Sequence, residues 1–499
     1  MWFTRKSKVL AACIILGAAS AAALFAWPPK AKVVQSNVAD LVVVNANIRT
    51  LDAKQPRAEA LAVNGGRISA IGSNDEIRKH IGPATEVIDA KGRLVLPGFN
   101  DSHVHFTAIG NQFSHLDLRE VRTREQIIQR VKEYVEIVPR GRWIIGAGIP
   151  EDVQFENTAV LDAVSPANPV LLYYSIPKRA AVNAAALKAA RLNNEKAVVA
   201  DDEMTWVRSA VPRDHATNWA EIAETASNLA ASLGVTTVQD VHSDDLAELM
   251  NSLDRQGKLK TRIYDCIGIE KYRDAIERGL KAGSGNAMVR GGCVKGMTEG
   301  AEDEIEELTP IVTAADKAGI QVALHAIGGR SVSGALTIFE NAAKANGIGD
   351  RRFRVEHAAR LRNADIPRFA RGVFIASMQP FLFYGGPEYG DDYAAMSAAG
   401  VKLAFGSDAS MIDLNPMLGI HAAVNSGRRS VSVEEAVRAY TVGSAYAEFA
   451  ENEKGTLAVG KLADLAIHSD DIFTIDRVRI KDVRTLLTVV NGRVVFRAG

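Results

Sequence analysis

The sequence predicts an α/β fold, namely a (β/α)8 TIM barrel with a small β-sandwich domain formed from both chain ends and an insertion after barrel strand 1. Short strand-like runs separated by turns occupy both ends of the chain. Between them, apolar strands alternate with longer helical stretches, as in parallel βα units. Eight such strands can be counted, which is the number that closes a barrel.

Residues 1–35 differ in composition from the rest of the chain. Three basic residues (Arg5, Lys6 and Lys8) precede the uncharged, apolar run 9–27. This pattern predicts export, and therefore a periplasmic or secreted protein. Ala19-Ser20-Ala21 resembles a signal-peptidase site, whereas the run also approaches the length of an uncleaved anchor. We expect residues 1–35 to be a signal peptide or an N-terminal membrane anchor.

The β-sandwich is expected from residues 36–96 and 455–499. The first segment contains strand-like runs such as Asp40–Asn45 and Ala60–Asn64, and the second returns to that pattern in Gly460–Ile467 and Thr485–Phe496. We therefore expect the two chain ends to build one domain.

The barrel is expected from residues 97–454. Its first strand ends in His103-Val104-His105, and seven more candidates follow at Val235–Val241, Thr261–Ile269, Val289–Lys295, Ile320–His325, Phe353–His357, Val373–Gln379 and Lys402–Gly406. An insertion covering about 110–225 separates the first two strands, because one βα unit needs far fewer residues. The insertion is a candidate substrate lid, and a stabilising subdomain remote from the chemistry is the alternative.

Six potential metal ligands stand where the predicted barrel strands end. They are His103, His105, Lys295, His325, His357 and Asp408. His103 and His105 fall on the same side of an extended strand, so they can reach one ion together. Active sites of such barrels lie at the C-terminal strand ends, and neutral imidazole suits zinc. The set predicts one or two zinc ions, with other transition metals left open.

Lys295 needs chemical conversion to act as a ligand, because an ammonium group repels a divalent cation. A buried lysine amine loses its proton readily, and the free amine can add carbon dioxide to form a carbamate that bridges two ions. A carbamate on Lys295 is therefore expected. The alternative is an ordinary ion pair between Lys295 and an acid such as Glu299.

Asp408 follows the eighth strand and is the candidate catalytic residue. Its carboxylate can bind a metal, accept a proton from zinc-bound water and deliver that proton to the leaving nitrogen. In this reading, zinc-bound hydroxide attacks the substrate and Asp408 is the general base and acid. A turn aspartate in the Gly-Ser setting is the alternative.

The chain resembles the amidohydrolase superfamily and, within it, the family 3 branch that includes N-substituted formamide deformylases and exoenzyme-regulatory-protein-like sequences. The resemblance rests on motifs spread over nearly everything after residue 36, among them Pro97–Phe106, Leu161–Val170, Gly234–Asp240, Val355–Ala358, Phe405–Asp408 and Gly455–Asp464. It implies a barrel with a sandwich, one or two zinc ions, a carboxylated Lys295 and hydrolysis at an amide-type carbon. Relatives commonly carry a histidine where this chain has Lys178 and Arg179, so we expect its substrate contacts to differ.

The main hypothesis is an exported metal-dependent amidohydrolase that hydrolyses a C–N bond of a small molecule. Lys178, with Arg179, is a candidate contact for a substrate carboxylate, and Gln379 and Tyr384 are further candidate substrate contacts. A Gln-Pro turn with a packed aromatic is the alternative for the last two. An ester or lactone hydrolase with the same site, and a non-catalytic metal-stabilised regulatory or binding protein at the cell envelope, are the alternative functions.

Charge and cysteine content limit the partners. The 59 basic and 59 acidic residues cancel, so no overall positive field favours nucleic acid. We expect a small-molecule substrate and no nucleic acid, while membrane anchoring through the N-terminus and homo-oligomer formation stay open. Cys266 and Cys293 fall in predicted barrel strands. Export would permit one disulfide, but we expect buried free thiols.

Overall fold

The computed structural model describes residues 38–499, except residues 115, 119, 137, 176–178, 194–195, 213–218, 243–244, 385–391 and 410–411. The predicted export segment lies outside the described residues. Within the described part, no helix is both long and apolar enough to cross a bilayer.

The first strands of the chain build one layer of a sandwich and begin the other. They are β1 (Leu41–Val44), β2 (Asn47–Arg49), β3 (Arg57–Ala58), β4 (Ala60–Asn64), β5 (Arg67–Gly72), β6 (Glu86–Asp89) and β7 (Leu94–Pro97). Strands β5, β4, β1 and β6 pair in that order as a four-stranded sheet. All four residues of β1 are buried, because the facing sheet covers Leu41 and Val43 and a cluster that includes Ile77 covers Val42 and Val44.

The insertion follows the first barrel strand, β8 (Phe99–Val104), and forms a sheet of its own. Its strands are β9 (Leu116–Asp117), β10 (Ile144–Ile149), β11 (Val170–Tyr174), β12 (Arg179–Val182) and β13 (Val198–Ala200). They pair in reverse chain order, from β13 to β9. Separate apolar clusters, one around Leu172 and one around Leu171, cover the two faces of this sheet because successive residues of a strand point to opposite sides.

Eight parallel strands form the barrel. After β8 come β14 (Val235–Val241), β15 (Arg262–Gly268), β17 (Val289–Met297), β18 (Gln321–Ile327), β19 (Arg354–Ala359), β20 (Ile375–Met378) and β21 (Lys402–Phe405), with the short β16 (Ser284–Gly285) pairing antiparallel to β17. The strands are neighbours in chain order, and a parallel bridge from Val104 to Ala409 joins the last to the first. Every residue of β14, β15 and β19 is buried, as expected for parallel strands covered on both faces.

The C-terminal strands return to the sandwich. They are β22 (Leu465–His468), β23 (Thr485–Val490) and β24 (Arg493–Arg497), and β22 pairs antiparallel with β7. The resulting six-stranded sheet runs β24, β23, β22, β7, β2 and β3. Side chains such as Val43, Val95 and Ile467 pack between the two sheets in one apolar cluster. The predicted fold class, a barrel with a sandwich from both chain ends and an insertion after the first strand, is confirmed.

Helices cover the barrel and fill the connections. They are α1 (Asn74–Ile77), α2 (Phe106–Ser114), α3 (Arg124–Val135), α4 (Ala159–Val164), α5 (Ala184–Ala189), α6 (Asp201–Ala210), α7 (Trp219–Ser232), α8 (Ala247–Arg255), α9 (Tyr272–Glu277), α10 (Glu302–Lys317), α11 (Gly329–Asn346), α12 (Ile366–Gly372), α13 (Tyr393–Ala398), α14 (Pro416–Val424), α15 (Val433–Arg438) and α16 (Ser444–Ala447). A π-helical turn spans Ala439–Gly443, and short 3-10 turns lie at Arg78–His80, Ile269–Lys271, Asn363–Asp365, Gly427–Arg429 and Arg477–Asp482. Ser73, Thr123 and Ser432 each begin a helix through a capping box, which satisfies amide groups that the first turn leaves unbonded.

The expectation of two free thiols is wrong, because Cys266 and Cys293 form a disulfide. They are register partners on the adjacent strands β15 and β17, with their Cα atoms 4.4 Å apart. This separation is within the range that a disulfide spans. The sequence did not reveal the pairing, because the register of two parallel strands depends on the connection between them and on an irregularity in β17.

Candidate metal centre

All six predicted metal ligands lie at the C-terminal ends of barrel strands. His103 and His105 are at the end of β8, and Lys295 is two residues before the end of β17. His325 is in β18, His357 is in β19 and Asp408 is three residues beyond β21. Because the strands are parallel, these ends meet at one mouth of the barrel.

Five of the six side chains form a connected cluster. The Asp408 Oδ1 atom lies 3.5 Å from His103 Nε2 and 3.3 Å from His105 Nε2. The His357 ring centroid lies 4.9 Å from that of His103 and 4.4 Å from that of His325. His103, His357 and Asp408 each offer a ligand atom within 4.8 Å of the other two, so these three residues can hold one metal ion.

Lys295 points to the same face of the barrel, since it lies two residues before Met297, the register partner of His325. Burial lowers the pKa of its amine, and the negative charges of Glu356 and Asp408 oppose this shift only in part. The acids that act on Lys295 are therefore at the metal centre. The alternative partner, Glu299, instead accepts a hydrogen bond from Ser331 at 3.4 Å.

Two of the ligands have backbone conformations that residues other than glycine rarely adopt. The φ angles are +69° at His357 and +62° at Asp408. For residues other than glycine, such angles cost free energy and are typical of functional sites, where surrounding contacts hold the strain. These backbone angles direct both side chains into the mouth of the barrel. His357 lies near the end of β19, and Asp408 lies beyond the end of β21.

Asp101 ties the first barrel strand to the eighth. Its Oδ1 atom accepts hydrogen bonds from the backbone N–H groups of Ser407 at 2.9 Å and His103 at 3.1 Å, and the Asp408 N–H donates to the His103 carbonyl at 2.8 Å. Gly406 makes this approach possible, because a Cβ atom there would lie 2.6 Å from both Asp101 Oδ1 and His103 N. Burial raises the pKa of Asp101 to about 7, although the two hydrogen bonds oppose the shift.

Glu356 orients the His103 ring. The His103 Nδ1 atom lies 2.6 Å from Glu356 Oε2, and Arg354 Nε donates to Glu356 Oε1 at 2.7 Å. Burial alone raises the pKa of Glu356, but the charge of Arg354 and the hydrogen bond from His103 hold it well below its ordinary value. An ionised carboxylate can only accept, so His103 donates from Nδ1 and keeps the Nε2 lone pair directed towards Asp408. This arrangement is the usual support for a metal-binding imidazole.

The imidazoles of His325 and His357 are neutral near pH 7. Burial, together with the nearby Lys295 amine and the His103 imidazole, lowers the pKa of His325 to about 4. Burial and the adjacent His103 and His325 rings lower the pKa of His357 to about 3. Neutral rings keep their nitrogen lone pairs available for a metal ion.

Two buried polar atoms without a hydrogen-bond partner indicate whether these residues fit a metal ion. The Nδ1 atom of His357 and the Oδ1 atom of Asp408 are buried without a hydrogen-bond partner among the described residues. Buried polar atoms are nearly always bonded, and unsatisfied ones call for an unseen partner. A nitrogen and an oxygen donor beside further imidazoles suit a divalent transition metal such as zinc.

The predicted substrate contacts differ in their placement. Gln379 is fully buried and donates to the Ser377 carbonyl at 3.2 Å, whereas Tyr384 is 41% exposed with its ring 5.5 Å from that of His421. Lys178 lies outside the described residues. Its neighbour Arg179 contacts the Glu151 carboxylate at 3.1 Å and stacks on Tyr174, so its charge is already compensated.

Sequence reasoning missed the residues that support the ligands. Besides Asp101, Arg354 and Glu356, they include Asp240, which accepts a hydrogen bond from the N–H of Phe106 at 2.9 Å, directly after His105. A signal was present, because Asp101 lies two residues before His103 and Glu356 directly precedes His357. Their roles were hidden because each depends on a contact between strands that are far apart in the sequence.

Comparison with known proteins agrees with this geometry. An amidohydrolase family model matches residues 86–496. The chain is 29% identical to protein LONG AFTER FAR-RED 3 of Arabidopsis thaliana over 92% of both chains. It is 24% identical to the N-substituted formamide deformylase of Arthrobacter pascens, over 91% of this chain and 97% of that one.

A solved structure has the same fold. It is an uncharacterised metal-dependent hydrolase from Pyrococcus furiosus that is 25% identical to this chain, with a TM-score of 0.70 over 88% of this chain and 99% of that one. The resemblance read from the sequence motifs is confirmed by the family match, which covers most of the chain. The protein therefore belongs to the amidohydrolase family and is a metal-dependent hydrolase of carbon–nitrogen bonds.

Proposed function

We propose that the protein hydrolyses an amide-type C–N bond of a small molecule with one or two zinc ions held at the mouth of the barrel. The proposed ligands are His103, His105, His325, His357, Asp408 and a carbamate on Lys295. The observation that carries the proposal is the convergence of His103, His357 and Asp408, with buried atoms of the last two unsatisfied. This donor set matches the ligand preference of zinc.

A bound divalent ion supplies Lewis acidity, which polarises a carbonyl and lowers the pKa of water. Asp408 then moves the proton. Burial alone raises the pKa of its carboxyl group, but the nearby imidazoles of His105, His103 and His357 hold the pKa below its ordinary value. Asp408 is therefore ionised near neutral pH, accepts the proton of the attacking water and delivers it to the departing nitrogen.

A carbamate on Lys295 supplies negative charge that the imidazole ligands cannot. With its pKa lowered, part of its amine is unprotonated, and the amine nitrogen can bond to the carbon of carbon dioxide and release one proton. The product is a carbamate anion. Together with the Asp408 carboxylate, it would offset two positive charges at the centre.

The side chains beside the ligands favour a substrate with an apolar group. Met297 is 59% exposed although it follows Lys295 by only two residues on the same face of β17. The Phe383 ring lies 6.4 Å from the His357 ring. An exposed methionine and a phenylalanine can contact an apolar group, and Arg179, already paired with Glu151, is less suited to bind a substrate carboxylate.

The relative named N-substituted formamide deformylase suggests which amides to test first. The purified protein, loaded with zinc in the presence of bicarbonate, is assayed with N-substituted formamides, N-acyl amino acids, dipeptides and lactones, each with small and large apolar groups. We expect metal-dependent release of an amine from at least one amide class. Hydrolysis of lactones alone would replace the amide proposal, and absence of a stoichiometric transition metal would overturn the metal mechanism.

We also propose that the chain is exported, as its basic and apolar N-terminal segment predicts. The disulfide between Cys266 and Cys293 supports this proposal, because structural disulfides persist mainly in oxidising compartments. Cell fractionation of the full chain, with N-terminal sequencing of the product, tests it. A protein recovered in the cytoplasm with its N-terminus intact would contradict export.

A further inference from the structure

The disulfide lies inside the barrel, directly below the metal centre. Cys266 on β15 and Cys293 on β17 are register partners, and two residues further along the same strands Gly268 is the partner of Lys295. Both cysteines are buried, with exposed fractions of 0% and 2%. Because residues i and i+2 of a strand point to the same side, Cys293 and Lys295 share one face of β17.

The strand segment that leads to Lys295 has few side chains to hold it. It reads Gly291-Gly292-Cys293-Val294-Lys295-Gly296, in which three of the six residues are glycines. Glycine has the largest conformational freedom to lose and contributes no side-chain packing. A covalent link at Cys293 therefore restrains a part of the strand that packing restrains weakly.

The pairing of β17 with β15 is also irregular at this point. Tyr264 pairs with Arg290 and Cys266 with Cys293, so three steps on β17 match two on β15. The extra residue falls at Gly291 and Gly292, and the φ angle of Gly292 is +89°. A one-residue change of register turns every following side chain to the opposite face of the sheet. The disulfide is at the first register pair after the bulge, where it locks the correct register.

The packing around the disulfide connects it to Lys295. Val241, Tyr264 and Ala323 form one buried cluster with the two cysteines, and Ala323 is the register partner of Lys295 on β18. The disulfide therefore lies in the same buried layer as Ala323, the residue beside Lys295 on β18.

From these observations we infer that the Cys266–Cys293 disulfide is a positioning element that holds the Lys295 side chain at the metal centre. The inference rests on the proposed function, in which Lys295 carries a carbamate ligand. Without the disulfide, the bulged segment relaxes, and both the carbamate and the metal are held less tightly. Because both cysteines are buried, the link is shielded from solvent reductants in the folded chain.

The test compares the full chain with its C266A/C293A variant. Metal per chain is measured by elemental analysis after dialysis against a chelator, and the carbamate by carbon-13 NMR after exchange with labelled bicarbonate. We expect the variant to keep its far-ultraviolet circular dichroism spectrum, to retain metal about tenfold less tightly and to lose most of the carbamate signal. Retention of metal and carbamate at the level of the unchanged protein would overturn the inference.

Val241→Ala is the matched control, because it removes packing from the same cluster and leaves the disulfide intact. We expect V241A to keep both metal and carbamate. An equal loss in V241A would show that general packing, and not the disulfide, positions Lys295. If C266A/C293A does not fold, C266V/C293A restores buried volume and is measured in the same way.

Lys295→Ala separates this inference from the proposed function. If the unchanged protein shows no carbamate and K295A keeps its metal, the proposed role of Lys295 fails whatever the cysteines do. If K295A loses metal while C266A/C293A keeps it, only the inference about the disulfide fails.

Discussion

Glu356 and His103 lie on strands six and one of the barrel, and their side chains meet at 2.6 Å beneath the metal centre. Both are almost completely buried. The contact directs the Nε2 lone pair of His103 towards Asp408 and fixes the ring in one orientation. The pair therefore couples metal affinity to a carboxylate that does not itself belong to the proposed ligand set.

Replacing Glu356 with Gln tests that coupling. The amide keeps the size of the side chain but removes the charge that orients His103, so we expect zinc to bind roughly 10- to 100-fold more weakly. Chelator competition measures the Kd. Glu340→Gln is the control, because Glu340 lies on α11 and pairs with Arg368 at 2.7 Å, not with His103. Equal zinc affinity in E356Q and the unchanged protein would show that Glu356 does not orient the ligand.

Asp408→Asn tests proton transfer. The amide cannot accept the proton of the attacking water, so we expect kcat to fall by about a hundred- to ten-thousand-fold. The imidazoles remain, and most of the metal should stay bound by elemental analysis. Asp413→Asn, an exposed position in the same connection, should leave kcat unchanged. Near-normal turnover in D408N would remove Asp408 as the base.

Lys295→Ala tests the carbamate. Loss of the proposed carbamate should lower the metal content of the dialysed protein, and added formate or acetate should restore part of the activity by taking its place. Glu299→Gln is the control for the alternative ion pair and should change neither metal content nor activity. A larger effect of E299Q than of K295A would favour that ion pair over the carbamate.

Met297→Gln tests the proposed apolar contact with substrate. A polar amide of similar length disfavours an apolar group beside it, so we expect KM for the best large-group substrate to rise about tenfold, with little change for its smallest analogue. Val459→Gln is a matched control, because Val459 has a similar exposed fraction, 61%, outside the metal centre. Equal changes in KM for large and small substrates would contradict a contact at Met297.

We expect the buried His468 to lower the free energy of unfolding in acid. Burial lowers its pKa from 6.5 to about 3 in the folded protein, so between these values the unfolded chain binds the proton and the folded chain does not. Stability is therefore lost as pH falls below 6.5, at about 1.4 kcal/mol per pH unit. Urea unfolding of the metal-free protein at pH 6.5 and 4.5 should show a decrease about 2 kcal/mol larger for the unchanged protein than for H468Q. Equal decreases would show that His468 does not contribute.

Local patterns in the chain were sufficient to predict the barrel, its eight strands and the sandwich from both ends. Apolar runs, turn residues and helical spacing depend on neighbouring residues, and the same runs recur as strands in the folded protein. The predicted ligands His103, His325 and Asp408 could be named for the same reason, since each stands at the end of such a run.

The supporting contacts required the folded chain. Glu356 meets His103, Asp101 spans two strand ends and Cys266 bonds to Cys293 because of strand order, register and a bulge, all of which arise from long-range packing. A sequence pattern states which face a residue occupies, but the distance between two side chains on different strands depends on how the whole sheet closes. That closure converts a series of separate polar residues into one metal centre.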